Sequence, residues 1–217
     1  MSLNLYLHPL SSYCHKVLIA LYENDTPFEP VFVDLGDPTA AATIEMKRIW
    51  PVGMFPVLRD EAAGRVIPES SIIIEYLDQH HPGPTRFIPT DPDLARQTRL
   101  RDRFCDLHLH SHMQKIGADG RLPEGDRDPL GAGRSRRAII AAYGMLVGDL
   151  GDKTWLMGED FTLADCAAAP ALFYASKMVP FGPEHASVAA YLDRLMARPS
   201  YARAVKEAEP YFAMFAG

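Results

Sequence analysis

Four prolines fall within the twelve residues from His81 to Pro92, HPGPTRFIPTDP. Each removes a backbone N–H and fixes φ near about −65°, so neither a helix interior nor a central strand can run through this stretch. The chain must break here, and the hydrophobic pattern differs on its two sides.

Before the break the apolar period switches repeatedly between two and three-to-four, the mark of a mixed α/β unit. Leu3 to Leu7 (LNLYL) alternates as a strand. From Tyr13 the period becomes helical, with Cys14, Val17, Leu18 and Leu21 on one stripe. FEPVFVDL reads as a second strand, placed near a sheet edge by its proline. A short helix follows from Thr39 to Ile49, closed by Pro51. Val57, Leu58 and Val66, Ile67 flank a turn containing Gly64 and predict a hairpin. Pro68 is expected to open a third helix, PESSIIIEYLDQH. The order is β-α-β-α-β-β-α, one small sheet covered by helices.

Beyond the break nearly every segment is helical in period. Leu94 to Ile116 is one long segment, and a Gly/Asp/Pro loop separates it from Arg134 to Leu150. FTLADCAAAPAL starts another helix, and SVAAYLDRLMARPSYARAVKEAE holds one or two more. The expected domains are therefore residues 1–80 (α/β), a linker at 81–91, and an all-helical domain at 92–217.

A chain of 217 residues, 47 % hydrophobic and 23 % charged, buries roughly 70 % of its unfolded surface and needs no covalent staple. A net charge of −6 and a pI near 5.7 argue against a phosphate-backbone binder. Cys14, Cys105 and Cys166 are too few and too scattered for a disulfide framework or a four-ligand zinc site. No leader or apolar run of membrane-spanning length is present in the sequence, so the expectation is a cytoplasmic protein with no membrane, metal or nucleic-acid partner. Of the histidines in DLHLHSHM, only His108 and His112 share a helix face, with no third ligand in sight. RSRRA, from Arg134, reads as a solvated helix face.

Three short stretches carry candidate chemistry. In HPLSSYCHKV a strand gives way to a helix N-terminus, where unpaired N–H groups and the helix dipole favour anions and thiolates. Ser11 and Ser12 lie in that loop, as helix caps or as ligand donors. Cys14 shares the apolar stripe and reads as a packed small hydrophobe. In WPVGMFPVLRD, a cis bond before Pro56 would turn the main chain of Phe55 toward an extended ligand. In PESSIIIEYL, Ser70 suits a carboxylate and Glu69 an ammonium, the two ends of an amino acid head group; an ordinary helix start reads the same way.

Taken together, SSYC before the first helix, the proline before the third strand and ES opening the third helix resemble the glutathione transferases, especially their serine-type theta, delta and zeta classes. WLMGEDFTLADCAAAPAL extends the likeness past the linker. There Thr162 and Asp165 make a capping box and Phe161 a hydrophobic staple. The resemblance implies a thioredoxin-like first domain, an all-helical second domain that contributes the site for a small hydrophobic electrophile, and a homodimer. It makes glutathione the co-substrate and Ser11 the hydroxyl on its sulfur, with Ser12 the alternative one residue on. Tyr6 is a weaker rival. Phe55 would pair with the tripeptide's cysteine across a cis Pro56, while Glu69 and Ser70 would hold the γ-glutamyl end.

The implied activity is a detoxifying transfer or substitution on the electrophile. Two other readings stand beside it. One is a glutathione-dependent oxidoreductase, lyase or cis-trans isomerase, the oxidoreductase working through Cys14; the other is a non-catalytic binding module on the same fold. The chain departs from many relatives at Gly53 and Met54, where a basic or amide side chain usually meets the glycyl carboxylate. Lys47, Arg48 and His15 are the candidates to replace it.

Overall fold

The computed structural model describes residues 3–214, so the outer limits of both expected domains, at 1 and 217, lie outside the described residues. In the first unit, β1 (Leu3–Leu7), β3 (Val57–Asp60) and β4 (Arg65–Pro68) join β2 (Glu29–Phe32) in one sheet of order β2-β1-β3-β4. β1 runs parallel to β2 and antiparallel to β3, and β3 pairs antiparallel with β4. The interior strands supply the buried Leu3, Leu5, Val57 and Leu58. Pro30 sits on the edge strand, where its missing N–H costs least. The hairpin turns through Gly64 at φ +62°, a conformation open to glycine.

Helices α1 (Ser12–Glu23), α2 (Ala41–Ile49) and α3 (Ser70–His80) complete this α/β layer, in the expected order and as a thioredoxin-like unit. Cys14, Val17, Leu18 and Leu21 are all buried, as their spacing predicts. Pro68 behaves differently from expectation. It ends β4, opposite Val57, instead of opening α3. The last residue of a hairpin needs no onward ladder bond, so proline is tolerated there, and the helix begins two residues later.

The second unit is helical: α4 (Pro92–Cys105), α5 (Ser111–Gly120), α6 (Pro129–Leu150), α7 (Leu163–Met178) and α8 (Ala186–Ala197). A π-helical turn at Asp106–His110 joins α4 to α5. α6 starts five residues ahead of the expected Arg134, because Asp128 caps the Gly131 N–H at 2.8 Å and Pro129 occupies the first turn. α7 is the unit's centre. Its capping box forms as expected, with the Thr162 N–H donating to Asp165 at 2.9 Å. Asp165, fully buried, also accepts from the Leu156 N–H at 2.9 Å and the Tyr191 hydroxyl at 2.6 Å. Burial raises its pKa against those donors.

The packing divides the chain differently from the 92–217 boundary. Pro89–Arg198 forms the helical unit, whereas α9 (Pro199–Ala208) and the 3₁₀ turn Glu209–Met214 belong to the first. α9 lies on α1: the Tyr22 hydroxyl donates to Glu207 at 2.6 Å, Ser200 bonds Glu23, and the Tyr201 ring meets His15 at 5.9 Å. Among the described residues no helix is long and apolar enough to cross a membrane, and no group of three His, Cys, Asp or Glu is placed to hold a metal.

Candidate functional site

The turn between β1 and α1 is fixed by two imidazoles. The Ser11 N–H donates to the His8 carbonyl at 2.9 Å, closing a four-residue turn with Pro9 at its second position. The Leu10 N–H donates to His8 Nδ1 at 3.1 Å. His15, fully buried, places Nε2 at 2.6 Å from the Pro9 carbonyl. That commitment removes His15 from the candidates for a ligand's carboxylate.

Ser11 is the N-cap of α1, its Oγ accepting the Cys14 N–H at 3.3 Å. The capping and ligand roles are compatible, since a hydroxyl that accepts an N–H still has its own proton to donate. Ser11 is half-buried at the helix mouth, whereas Ser12 is the first helical residue and only 6 % exposed. Tyr6 is buried with Val33, Met46 and Val57 and serves the core. Cys14 is wholly buried, and that burial pushes its thiol up to about 12 against the bond from Ser11. It is a poor nucleophile.

Phe55 packs half-buried against the same core cluster. The Phe55–Pro56 peptide bond is cis, and Pro56 is buried just ahead of β3. Beside this loop, Gly53 turns at φ +73°, and a Cβ placed there would lie 3.8 and 3.9 Å from Cγ and Cε of Lys47. The Lys47 side chain therefore runs along the loop. Arg48 is engaged elsewhere, gripping Glu45 with two bonds of 2.8 Å.

Glu69 holds φ +70°, ψ +121°, an arrangement that costs a non-glycine residue about 1–3 kcal/mol. Its side chain caps nothing and is exposed, immediately ahead of the buried Ser70 that starts α3. Lys16, fully buried in α1, donates to the Ser71 hydroxyl at 2.9 Å and so ties the second turn of α1 to the first turn of α3. Sequence reasoning missed Lys16 because a lysine opposite the apolar stripe of Cys14, Val17, Leu18 and Leu21 reads as a solvated surface residue. It also assigned nothing to His8, although that residue lies in the stretch it singled out.

Two family models match the chain: "Glutathione S-transferase, N-terminal domain" over residues 5–85 and "Glutathione S-transferase, C-terminal domain" over residues 131–199. A glutathione S-transferase from Methylobacterium radiotolerans, solved in complex with glutathione sulfonate, has a TM-score of 0.82 and 31 % identity, covering 94 % of this chain and 95 % of that one. Another from Methylobacillus flagellatus, with GSH bound, shares the fold at a TM-score of 0.84 and 24 % identity, covering 93 % and 98 %. Among curated proteins, a stringent starvation protein A homolog of Coxiella burnetii is 29 % identical over 95 % of this chain and 93 % of its own. Glutathione S-transferase GstB of Escherichia coli is 25 % identical over 73 % and 76 %.

Proposed function

The chain belongs to the glutathione transferase superfamily, and from that premise we propose that it activates glutathione through the Ser11 hydroxyl for attack on a small hydrophobic electrophile. The observation that carries this reading is the position of Ser11. Its oxygen caps α1, and its hydroxyl proton, which the Cys14 sulfur shares, can turn to a ligand's sulfur at a helix N-terminus where a thiolate is stabilised.

The energetics are sufficient. Moving a thiol from a pKa of about 8.5 to about 6.5 needs roughly 2.7 kcal/mol of preference for the anion. A hydrogen bond to a charged group supplies about 1.5–3 kcal/mol and a helix terminus about 0.3–1 kcal/mol. The Ser11 O–H donates to the sulfur, the thiol proton leaves to solvent, and the sulfur lone pair forms the new C–S bond. The electrophile either expels a leaving group or takes up a proton.

In this reading the other residues hold the tripeptide. Phe55 offers its main-chain N–H and C=O to the cysteine, beside Pro56. Ser70 and the first turn of α3 take the γ-glutamyl carboxylate, and exposed Glu69 takes its ammonium. Lys47, lying along the Gly53 turn, meets the glycyl carboxylate in place of the missing side chain. Val66 and Ile72, exposed on β4 and α3, support assembly with a second copy of the chain.

The test is turnover with reduced glutathione and a panel of electrophiles. Ser11→Ala is expected to lower kcat by about 10², the loss of one preorganised donor to an anion, while Cys14→Ala keeps its activity. An active Ser11→Ala protein beside an inactive Ser12→Ala protein moves the role by one residue. Loss of activity in Cys14→Ala favours thiol oxidoreduction. A second reading, a non-catalytic binding module, is favoured by Gly53 and Met54 at the carboxylate position and by the likeness to the stringent starvation protein A homolog. It is supported if the protein is neither retained on immobilised glutathione nor stabilised by it.

A further inference from the structure

Resting on the glutathione reading, we propose that His8 is a positioning residue for Ser11: its neutral ring accepts the Leu10 N–H and so sets the turn that aims the Ser11 hydroxyl at the bound sulfur. His8 governs both ends of that turn. Its carbonyl takes the Ser11 N–H and its Nδ1 takes the Leu10 N–H. A nitrogen that accepts an N–H presents a lone pair, so the ring proton sits on Nε2.

Three separate parts of the chain hold the ring in this pose. His8 follows directly on β1 and is only 2 % exposed. Phe32, at the end of β2 and paired with Leu7, lies 5.0 Å from it at 48°. Tyr211, from the C-terminal 3₁₀ turn, meets it edge-on at 5.1 Å and meets Phe32 at 5.7 Å. Burial lowers the ring's pKa and outweighs the Asp34 carboxylate, which favours the imidazolium. The neutral, accepting form prevails at neutral pH. Misplacing a catalytic group by about 1 Å can cost about 10² in rate. A ring clamped by aromatic neighbours on two other segments is a rigid means of fixing a loop hydroxyl.

The test compares H8N, H8Q and H8F in the full chain. Asparagine puts its carbonyl oxygen where Nδ1 stood; glutamine and phenylalanine do not, and phenylalanine keeps a ring between Phe32 and Tyr211. Steady-state turnover with chlorodinitrobenzene and the pH titration of the bound thiolate's ultraviolet absorbance are read together. H8Q and H8F are expected to lose roughly tenfold in kcat, to raise the pH of thiol ionisation by about one unit, and to change KM for glutathione by less than about twofold. H8N is expected to return to within about threefold of wild type. Equal behaviour of H8N and H8F, or a rise in KM with kcat unchanged, overturns the role of His8 while the wild-type titration upholds the Ser11 reading. A wild type that binds no ionised glutathione overturns both. If H8Q does not fold, H8F carries the same expectation.

Discussion

Lys47 and Arg48 are neighbours in sequence and differ in what they are free to do. Arg48 spends its guanidinium on Glu45, while Lys47 extends along the Gly53 turn toward the loop that ends at Phe55. An exposed ammonium meeting a ligand carboxylate contributes about 1 kcal/mol, or about fivefold in affinity. Lys47→Ala is therefore expected to raise KM for glutathione about fivefold with kcat little changed, and Arg48→Ala to leave KM as it is. The reverse order in steady-state kinetics would remove Lys47 from the site. At this scale the sequence disclosed residues whose role is local: Ser11 as a cap, Cys14 on an apolar stripe, Glu69 at a helix start. His8 was illegible because its partners, Phe32 and Tyr211, lie about 24 and 203 residues away and no period connects them. The proposal of Lys47 over Arg48 rests on where one glutamate points.

Elements were legible wherever the hydrophobic period was long, and their ends were not. β1, the hairpin and the stripe of α1 follow the alternation, but Pro68 terminates a strand and Asp128 starts α6 early through contacts that a propensity scale does not see. The β3–β4 hairpin shows how such contacts tie elements together. Asp60 accepts the Ala63 N–H at 3.0 Å, the Tyr76 hydroxyl at 2.8 Å and His81 Nε2 at 3.1 Å, joining the turn to the end of α3. The Ala63 amide, with Tyr76 and His81, holds its carboxyl down to about 2. A carboxylate whose folded pKa lies below its unfolded value of about 3.9 stabilises the fold above that value, and the contribution disappears as pH falls through the folded pKa. Denaturant unfolding is thus expected to show wild type more stable than Asp60→Asn at pH 6. The gap should narrow steadily between about pH 4 and pH 2, and a gap independent of pH would show that the hairpin does not depend on this charge.

At the scale of the whole molecule, the unexpected feature is the return of the C-terminus. The linker at 81–91 suggested two domains met in sequence order, yet α9 and the turn after it complete the first unit. The reason is physical: α1 carries a second set of groups on its outer side, and α9 answers them with Glu207 for Tyr22, Ser200 for Glu23 and the buried Tyr201 against His15. Arg203 adds its guanidinium over the Tyr22 ring at 3.9 Å. Because His15 also holds the Pro9 carbonyl, the last helix bears on the turn that presents Ser11. Tyr201→Ala removes a buried aromatic side chain, a loss of about 3 kcal/mol by analogy with other large core truncations. Hydrogen exchange gives the loss a location. Faster exchange is expected in the α1 amides and the β1–α1 turn, with α7 unchanged, and glutathione should restore protection in proportion to its binding. Exchange that instead quickens first in α5 to α7 would assign α9 to the helical unit and separate it from the site.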